Sequence, residues 1–368
     1  MAGQPQFNAL RAVMAEKDLD AVALVPGVNF RRLTGRDFHQ NERPLVLVVT
    51  RGGRLAAVVP HLEMASFATL DLDCATYEWR DERGYEAAFA SLAIDLGKLG
   101  SIGVEGQRMR VFEFLALHRH IDALELVDAH ELVSSLRLHK TEGEIASLRE
   151  AIRISEEALE ATVQQVRIGQ TETEIEAILV RELFARGAQG LAFDSIVAAG
   201  SNSAQPHAQA RADYRIRAGD ALLFDFGARH GGMNADITRT FFIAEVSDRD
   251  RAFYDTVLAA NTTARETARA GITASELDDT VQKVLEGSPF AEYRRHKTGH
   301  GLGLDVHEAP QIMRGNGQLL EPGMVFTIEP GLYRLGEAGV RIEDDVVVRD
   351  DGIEVLTQFP RELRIIGC

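Results

Sequence analysis

Two stretches of this chain repeat each other 104 residues apart, and each closes an apolar, β-prone run on an acid. The first is Gly219-Asp220-Ala221-Leu222-Leu223-Phe224-Asp225-Phe226-Gly227, the second Gly323-Met324-Val325-Phe326-Thr327-Ile328-Glu329-Pro330-Gly331. A second acid follows each run, Asp236 in Asn234-Ala235-Asp236-Ile237-Thr238 and Glu343 in Val340-Arg341-Ile342-Glu343. Upstream, Arg167-Ile168-Gly169-Gln170-Thr171 and Arg269-Ala270-Gly271-Ile272-Thr273 match at an offset of 102, and each opens a Thr-x-x-Glu helix start ending on Glu174 or Glu276. Matched features in the same order predict a helix-helix-strand-hairpin unit used twice, hence a pseudo-twofold domain.

Four acids on apolar strands are costly to bury unless something pairs them, and a cation does so most simply. Asp225 and Asp236 flank the reversal Ala228-Arg229-His230-Gly231-Gly232-Met233, and pairing about its centre predicts that the two face each other directly. Glu329 and Glu343 pair in the same way about Gly336. Opposed residues of antiparallel strands bring their Cβ atoms to about 4.5–5.5 Å. Two such pairs facing each other suit two metals about 3.5–4 Å apart. His300, between glycines in Thr298-Gly299-His300-Gly301-Leu302-Gly303, is the fifth candidate ligand. One imidazole with four carboxylates favours a hard or borderline ion such as Mn²⁺ over a sulfur-rich zinc site. His39, His61, His118 and His130 read instead as ordinary core or surface residues. His307-Glu308-Ala309-Pro310-Gln311 begins like a zinc-protease helix, but Gln311 stands where a second histidine is needed and Pro310 opposes helix.

Composition narrows the alternatives. The formal charge of −16 argues against nucleic-acid backbones and anionic membrane surfaces. Two cysteines, Cys74 and Cys368, make no disulfide framework and fit inert thiols in a reducing compartment. The start Met1-Ala2-Gly3-Gln4-Pro5-Gln6-Phe7 has no signal-peptide character, and no apolar run approaches the roughly 20 residues of a membrane helix. A cytoplasmic protein is expected. Its 368 residues favour two domains. Residues 1–135 alternate strands (Asp20–Pro26, Leu45–Thr50, Leu55–Val59, Ser101–Glu105, Leu124–Val127) with helical patterns, and Gly52-Gly53 marks a hairpin. That is a smaller α/β domain with a mixed sheet. From Thr141-Glu142-Gly143-Glu144, a capping box opening a helix to about Val166, a different regime fills 136–368. The fold class expected is α+β.

Asp225, Asp236, His300, Glu329 and Glu343 together resemble the dinuclear site of the pita-bread metallopeptidases, which include methionine aminopeptidase, aminopeptidase P and prolidase. Gln205-Pro206-His207 and Val306-His307-Glu308 resemble the family's two further active-site histidines, and Arg341 a family arginine. The resemblance covers the whole chain, because the N-terminal half is similar to the domain carried by prolidase, aminopeptidase P and creatinase. It implies two divalent metal ions, Mn²⁺ first with Co²⁺ or Zn²⁺ as alternatives, holding a bridging water that becomes the nucleophile. It implies Glu329 as general base and acid, His307 as donor to the developing oxyanion, and His207 as substrate-binding or proton-transferring group. Arg341 would orient a ligand carboxylate, while Asp344 and Asp345 read as solvated or structural acids.

The implied activity is hydrolysis of the bond before proline in Xaa-Pro dipeptides by a homodimer. The alternatives are an aminopeptidase P acting on longer Xaa-Pro peptides, and a non-catalytic pita-bread binding protein. A dipeptidase must hold a free carboxylate, most economically with a bidentate arginine. Many prolidases resemble one another in carrying that arginine four residues after the second histidine, where this chain has Gln311. Arg36 or Arg43, from the loop Thr34-Gly35-Arg36-Asp37-Phe38-His39-Gln40-Asn41-Glu42-Arg43 of a partner subunit, are the substitutes expected.

Overall fold

In the computed structural model, residues 5–121 and 125–367 are described. The first four residues, residues 122–124 and Cys368 lie outside the described residues, and with them the leader, the start of the strand expected at Leu124 and the second thiol. Two compact units divide the chain, Met1–Arg137 and Leu138–Cys368.

The first unit is built on strands β1 (Ala21–Leu24), β2 (Val46–Thr50), β3 (Leu55–Pro60), β4 (Cys74–Trp79), β5 (Ser101–Val104) and β6 (Glu125–Asp128), with helices α1 (Asn8–Glu16), α2 (Val28–Thr34), α3 (Met64–Ala68), α4 (Glu86–Leu96), α5 (Val111–His120) and α6 (His130–Ser134). The six strands form one sheet in the order β4-β3-β2-β1-β5-β6. β2 runs antiparallel to β1 and β3, and the remaining neighbours are parallel, giving the expected mixed sheet. Alternate residues of the central strands serve opposite cores. Ala23, Val48 and Val58 pack with Phe89 and Leu117, whereas Leu24, Val49 and Val59 pack with Leu10 and Phe30. Burial on both faces explains why these strands read as unbroken apolar runs.

In the second unit α7 (Glu142–Val163) starts at the capping box of Thr141 and ends three residues before the expected Val166. It is followed by α8 (Glu172–Ala185), β7 (Gly190–Leu191), β8 (Ile196–Ala199), β9 (Ala221–Phe226), β10 (Ala228–His230), β11 (Met233–Asn234) and β12 (Ile237–Ile243). Then come α9 (Asp248–Thr267), α10 (Ala274–Glu286), β13 (Gly299–Gly301), β14 (Glu308–Ile312), β15 (Val325–Ile328), β16 (Gly331–Arg334), β17 (Ala338–Arg341), β18 (Asp344–Arg349), β19 (Gly352–Val355) and β20 (Ile365–Ile366). The sheets run β20-β12-β9-β8 and β14-β13-β15-β18-β19. Helices α7 and α8 pack on the first, α9 and α10 on the second.

The repeat read from the sequence is present in the hydrogen bonds. Gly169 N donates to Ile216 O at 2.9 Å and Ile216 N to Gln170 O at 2.9 Å. Their counterparts are Gly271 N to Leu320 O at 2.9 Å and Leu320 N to Ile272 O at 2.8 Å. Thr171 and Thr273 cap α8 and α10 with the same reciprocal Glu174 and Glu276 bonds.

One register differs from expectation. β9 pairs with β12 so that Asp225 faces Thr238, not Asp236. The reversal turns on Gly231 and Gly232, both at positive φ (58° and 87°), and β10 pairs with β11 about that dipeptide. Two left-handed residues make the tight turn that strand twist prefers, which moves the centre of pairing and leaves Asp236 diagonal to Asp225 on the same face. The Glu329–Glu343 hairpin keeps the expected register, with Gly331 opposite Arg341 and Ile328 opposite Asp344.

Candidate metal centre

All five predicted ligands line one cavity of about 670 Å³ within the second unit, together with His207, His307 and Arg341. Each repeat delivers its acids from strand ends. Asp225 sits near the end of β9 and Glu329 just past β15, where its N–H donates to Thr298 O at 2.8 Å. Asp236 lies between β11 and β12, its N–H donating to Asp345 Oδ2 at 3.1 Å. Glu343 lies between β17 and β18, its N–H on Thr238 O at 3.1 Å and its Oε2 accepting from Thr238 Oγ1 at 2.6 Å. His300 rides on β13. A Cβ on Gly299 would lie 1.9 Å from Thr327 O, and one on Gly301 would lie 2.0 Å from Ala309 O. Only glycines let this strand come so close to its neighbours, and so bring the imidazole to the acids.

The imidazole Nδ1 bonds Gly301 O at 3.1 Å, which leaves Nε2 facing Glu329 Oε1 at 3.4 Å and Asp236 Oδ2 at 3.7 Å. One backbone-held nitrogen and one inward nitrogen is the usual arrangement of a ligating histidine. One ligand atom from each of Asp236, His300 and Glu343 lies within 4.8 Å of the others. Asp225 Oδ1 is buried and accepts no hydrogen bond among the described residues, while its Oδ2 is taken by Arg341.

Burial, then the neighbouring acids, hold Asp236 and Glu343 well above the ordinary carboxylate range. Burial, reinforced by Asp225 and opposed by Arg341, pushes Glu329 up to about 7. Burial and His307 bring His300 down to about 3, so it is a neutral donor. Crowded, dehydrated carboxylates with an orphan oxygen and a neutral imidazole form a donor set that a divalent cation completes. These residues fit a divalent metal site.

Arg341 is buried and holds several groups at once. Nη2 binds Asp225, Nε donates to Thr238 Oγ1 at 3.0 Å and Nη1 to Tyr333 Oη at 2.7 Å. Tyr333 in turn meets His296 Nε2 at 2.7 Å, whose Nδ1 is on Lys297 O at 2.8 Å. Burial brings His296 down to about 4. His307 lies at the exposed rim with its ring 4.2 Å from that of His300, and burial followed by the Lys297 charge pulls its pKa down. His207 is also exposed at the rim.

Asp344 and Asp345 are fully buried, so the solvated half of that expectation is wrong. Asp344 is structural, paired with Arg239 at 2.7 Å and Arg265 at 3.2 Å, and Asp345 orients the Asp236 backbone. Arg36 and Arg43 belong to the first unit. Arg36 is exposed after α2, and Arg43 is tied to Asp81 through Nε at 2.9 Å and Nη2 at 2.7 Å. Sequence reasoning passed over His296, Lys297, Tyr333 and Thr238. The only signal was the basic run Arg294-Arg295-His296-Lys297 just before His300 in a strongly acidic chain.

Comparison with known proteins agrees with this geometry. Residues 146–350 match the model of metallopeptidase family M24, and residues 6–139 that of the creatinase/prolidase N-terminal domain. Xaa-Pro dipeptidase of Pyrococcus horikoshii is 37% identical over 264 residues, 72% of this chain and 74% of that protein. Xaa-Pro dipeptidase of Pyrococcus furiosus is 38% identical over 233 residues, 63% of this chain and 67% of its own length. Among the first curated relatives the matched stretch falls as low as 66% of the relative, just under two thirds. The crystal structure of a prolidase from Thermococcus sibiricus superposes with a TM-score of 0.93 at 32% identity, covering 100% of both chains. The chain therefore belongs to metallopeptidase family M24, with a pita-bread catalytic domain behind a creatinase/prolidase-type N-terminal domain.

Proposed function

We propose that this protein is an Xaa-Pro dipeptidase working with two divalent ions, Mn²⁺ in the first instance, held by Asp225, Asp236, His300, Glu329 and Glu343. The observation that carries the reading is the convergence of those five side chains, with two rim histidines, on one cavity. Likeness to Xaa-Pro dipeptidases supports the substrate class. When bound, the ions supply Lewis-acid polarisation and an acidified water.

The chain's own groups do the rest. Glu329 faces the cavity from the end of β15 and takes the proton that must leave the attacking water, then returns it to the departing proline nitrogen. His307 and His207, on the rim, donate to the substrate carbonyl as negative charge builds on it. Arg341 holds Asp225 in place through contacts that no substrate needs to disturb. Phe193, Ile196, Pro206 and Val306 give the cavity an apolar wall suited to a pyrrolidine ring.

A homodimer in the cytoplasm completes the reading. Among the described residues no helix is long and apolar enough to cross a membrane, and Cys74 is held as an unreactive thiol. The dimer follows from the family likeness and is checked by light scattering. The test of activity is hydrolysis of Xaa-Pro dipeptides and tripeptides side by side after loading with Mn²⁺, with metal content measured by elemental analysis. Faster turnover of the tripeptides would assign aminopeptidase P. A protein that keeps no metal and cleaves neither would be a binding module.

A further inference from the structure

Among the described residues three cations, Arg295, Lys297 and Arg341, border the cavity, and two of them are already spoken for. Arg341 is locked onto Asp225, Thr238 and Tyr333. Arg295 is exposed and caps its own turn, with Nη1 on Glu292 O at 2.7 Å and Arg294 O at 3.1 Å. Lys297 differs from both. It is half-buried, it lines the cavity, and its ammonium contacts the neutral Gln311 Oε1, with no carboxylate in ion-pairing reach among the described residues.

Gln311 is itself fixed. Its Nε2 donates to Glu308 O at 2.8 Å, which aims Oε1 at the lysine, and it stands directly across the β13–β14 pairing from His300. The glutamine thus pins the ammonium beside the strand that carries the metal-ligating histidine. Desolvation of Lys297 weakens its charged form, opposed by Glu329 and Asp278 at longer range. A half-dry ammonium with a single neutral partner gains most from an arriving anion. None of the acids lining the cavity, Asp194 or the four proposed metal ligands, forms an ion pair with Lys297 among the described residues.

We propose that Lys297, positioned by Gln311, binds the free α-carboxylate of the residue after the scissile bond and so selects peptides that end there. The inference rests on the Xaa-Pro peptidase reading and adds to it the source of dipeptide selectivity. It also accounts for the glutamine. An arginine at position 311 would set a second cation against the ammonium, so one strong cation at this spot excludes the other, and this chain carries it on position 297.

The test compares Ala-Pro with its C-terminal amide and with Ala-Pro-Ala, using the Mn²⁺-loaded full chain. Lys297→Gln should raise KM for Ala-Pro by roughly 10- to 100-fold, the worth of one charge-assisted hydrogen bond, with kcat nearly unchanged. KM for the amide should stay where it is in the wild type. Weakened competition by L-proline, with competition by prolinamide unaltered, should accompany it. Lys297→Arg should keep the selectivity, and Gln311→Arg added to Lys297→Gln should restore it, because position 311 reaches the same point.

Should Lys297→Gln fail to fold or to hold metal, Gln311→Glu tests the same contact. A carboxylate there would occupy the ammonium and raise KM for Ala-Pro alone. Equal changes for Ala-Pro and its amide in these variants would overturn the proposal while leaving the peptidase reading intact, as would selective loss in Arg36→Ala or Arg43→Ala instead. A wild-type protein that holds Mn²⁺ but cleaves none of the three peptides would overturn both.

Discussion

Asp225 divides its two oxygens between jobs: one is held by Arg341, and the other is buried with no donor among the described residues. His300 divides its two nitrogens in the same way, between Gly301 O and the acids. That division predicts which substitutions cost metal and which cost rate. Asp236→Ala and His300→Ala should purify with less metal, because each removes a proposed ligand from a shared cluster. His307→Ala should keep full metal content yet lose turnover, on the order of 2.7–4 kcal/mol of transition-state stabilisation if it acts as one oxyanion donor. Elemental analysis beside steady-state rates checks this, and a metal-poor His307 variant would reverse the assignment. Cys74 carries a different prediction. Burial and then Asp73 push its thiol up to about 12, so almost no thiolate exists at pH 8. Iodoacetamide should leave it unmodified in the native protein and alkylate it readily in urea, as read by peptide mass mapping.

Between elements, buried charges join strands that hydrogen bonding alone does not. Arg239 on β12 is 1% exposed and Asp344 on β18 is 0% exposed, and their 2.7 Å pair links a strand of the first repeat to one of the second. Removing one partner leaves the other charged and dry, so Asp344→Ala should lower stability by about 3–5 kcal/mol. Urea unfolding measures it, and a loss below about 1 kcal/mol would be that of an exposed pair instead. In the first unit Glu105 is buried, accepting from Val25 N at 3.1 Å and from Asn29 Nδ2 at 2.9 Å. Burial, the largest influence, raises its pKa above the ordinary value. A raised acid favours the folded state at low pH, and that contribution fades as pH climbs from the ordinary glutamate range through the raised value. Glu105→Gln should therefore gain on the wild type in thermal stability between pH 5 and pH 8. A constant difference across that range would show that Glu105 is not raised.

For the whole molecule, a cation that binds only the folded chain stabilises it by mass action, about 2.7 kcal/mol at a hundred times its Kd. Mn²⁺ should raise Tm in a concentration-dependent way, EDTA should reverse the rise, and Asp236→Ala should remove most of it. Scanning calorimetry against free metal makes the check, and a Tm indifferent to Mn²⁺ would contradict the site. The same scale shows what could be read in advance. The doubled unit was legible because its signals are local: Thr171 and Thr273 cap their helices through residues three positions away, and Gly169 and Gly271 share one turn. The family resemblance rested on five candidate ligand positions whose spacing survives any error in register. The Asp225–Asp236 register did not survive, because the positive φ of Gly231 and Gly232 moved the pairing centre and pattern alone does not reveal φ.

Capping boxes, apolar period and the spacing of acids and histidines are written along the chain, so the repeat, the α+β class and a set of candidate ligands could be read from it. Tertiary structure alone decided how those residues are engaged. Asp344 and Asp345 read in sequence as either solvated or structural acids, and burial decides for the second, because arginines distant along the chain reach Asp344 and the Asp236 backbone reaches Asp345. Lys297 stands out in the sequence only as the end of a basic run before His300. It lines the cavity because β13 pairs with β14 and sets Gln311 opposite His300. Burial and long-range pairing depend on which strands meet, and no local pattern contains that information.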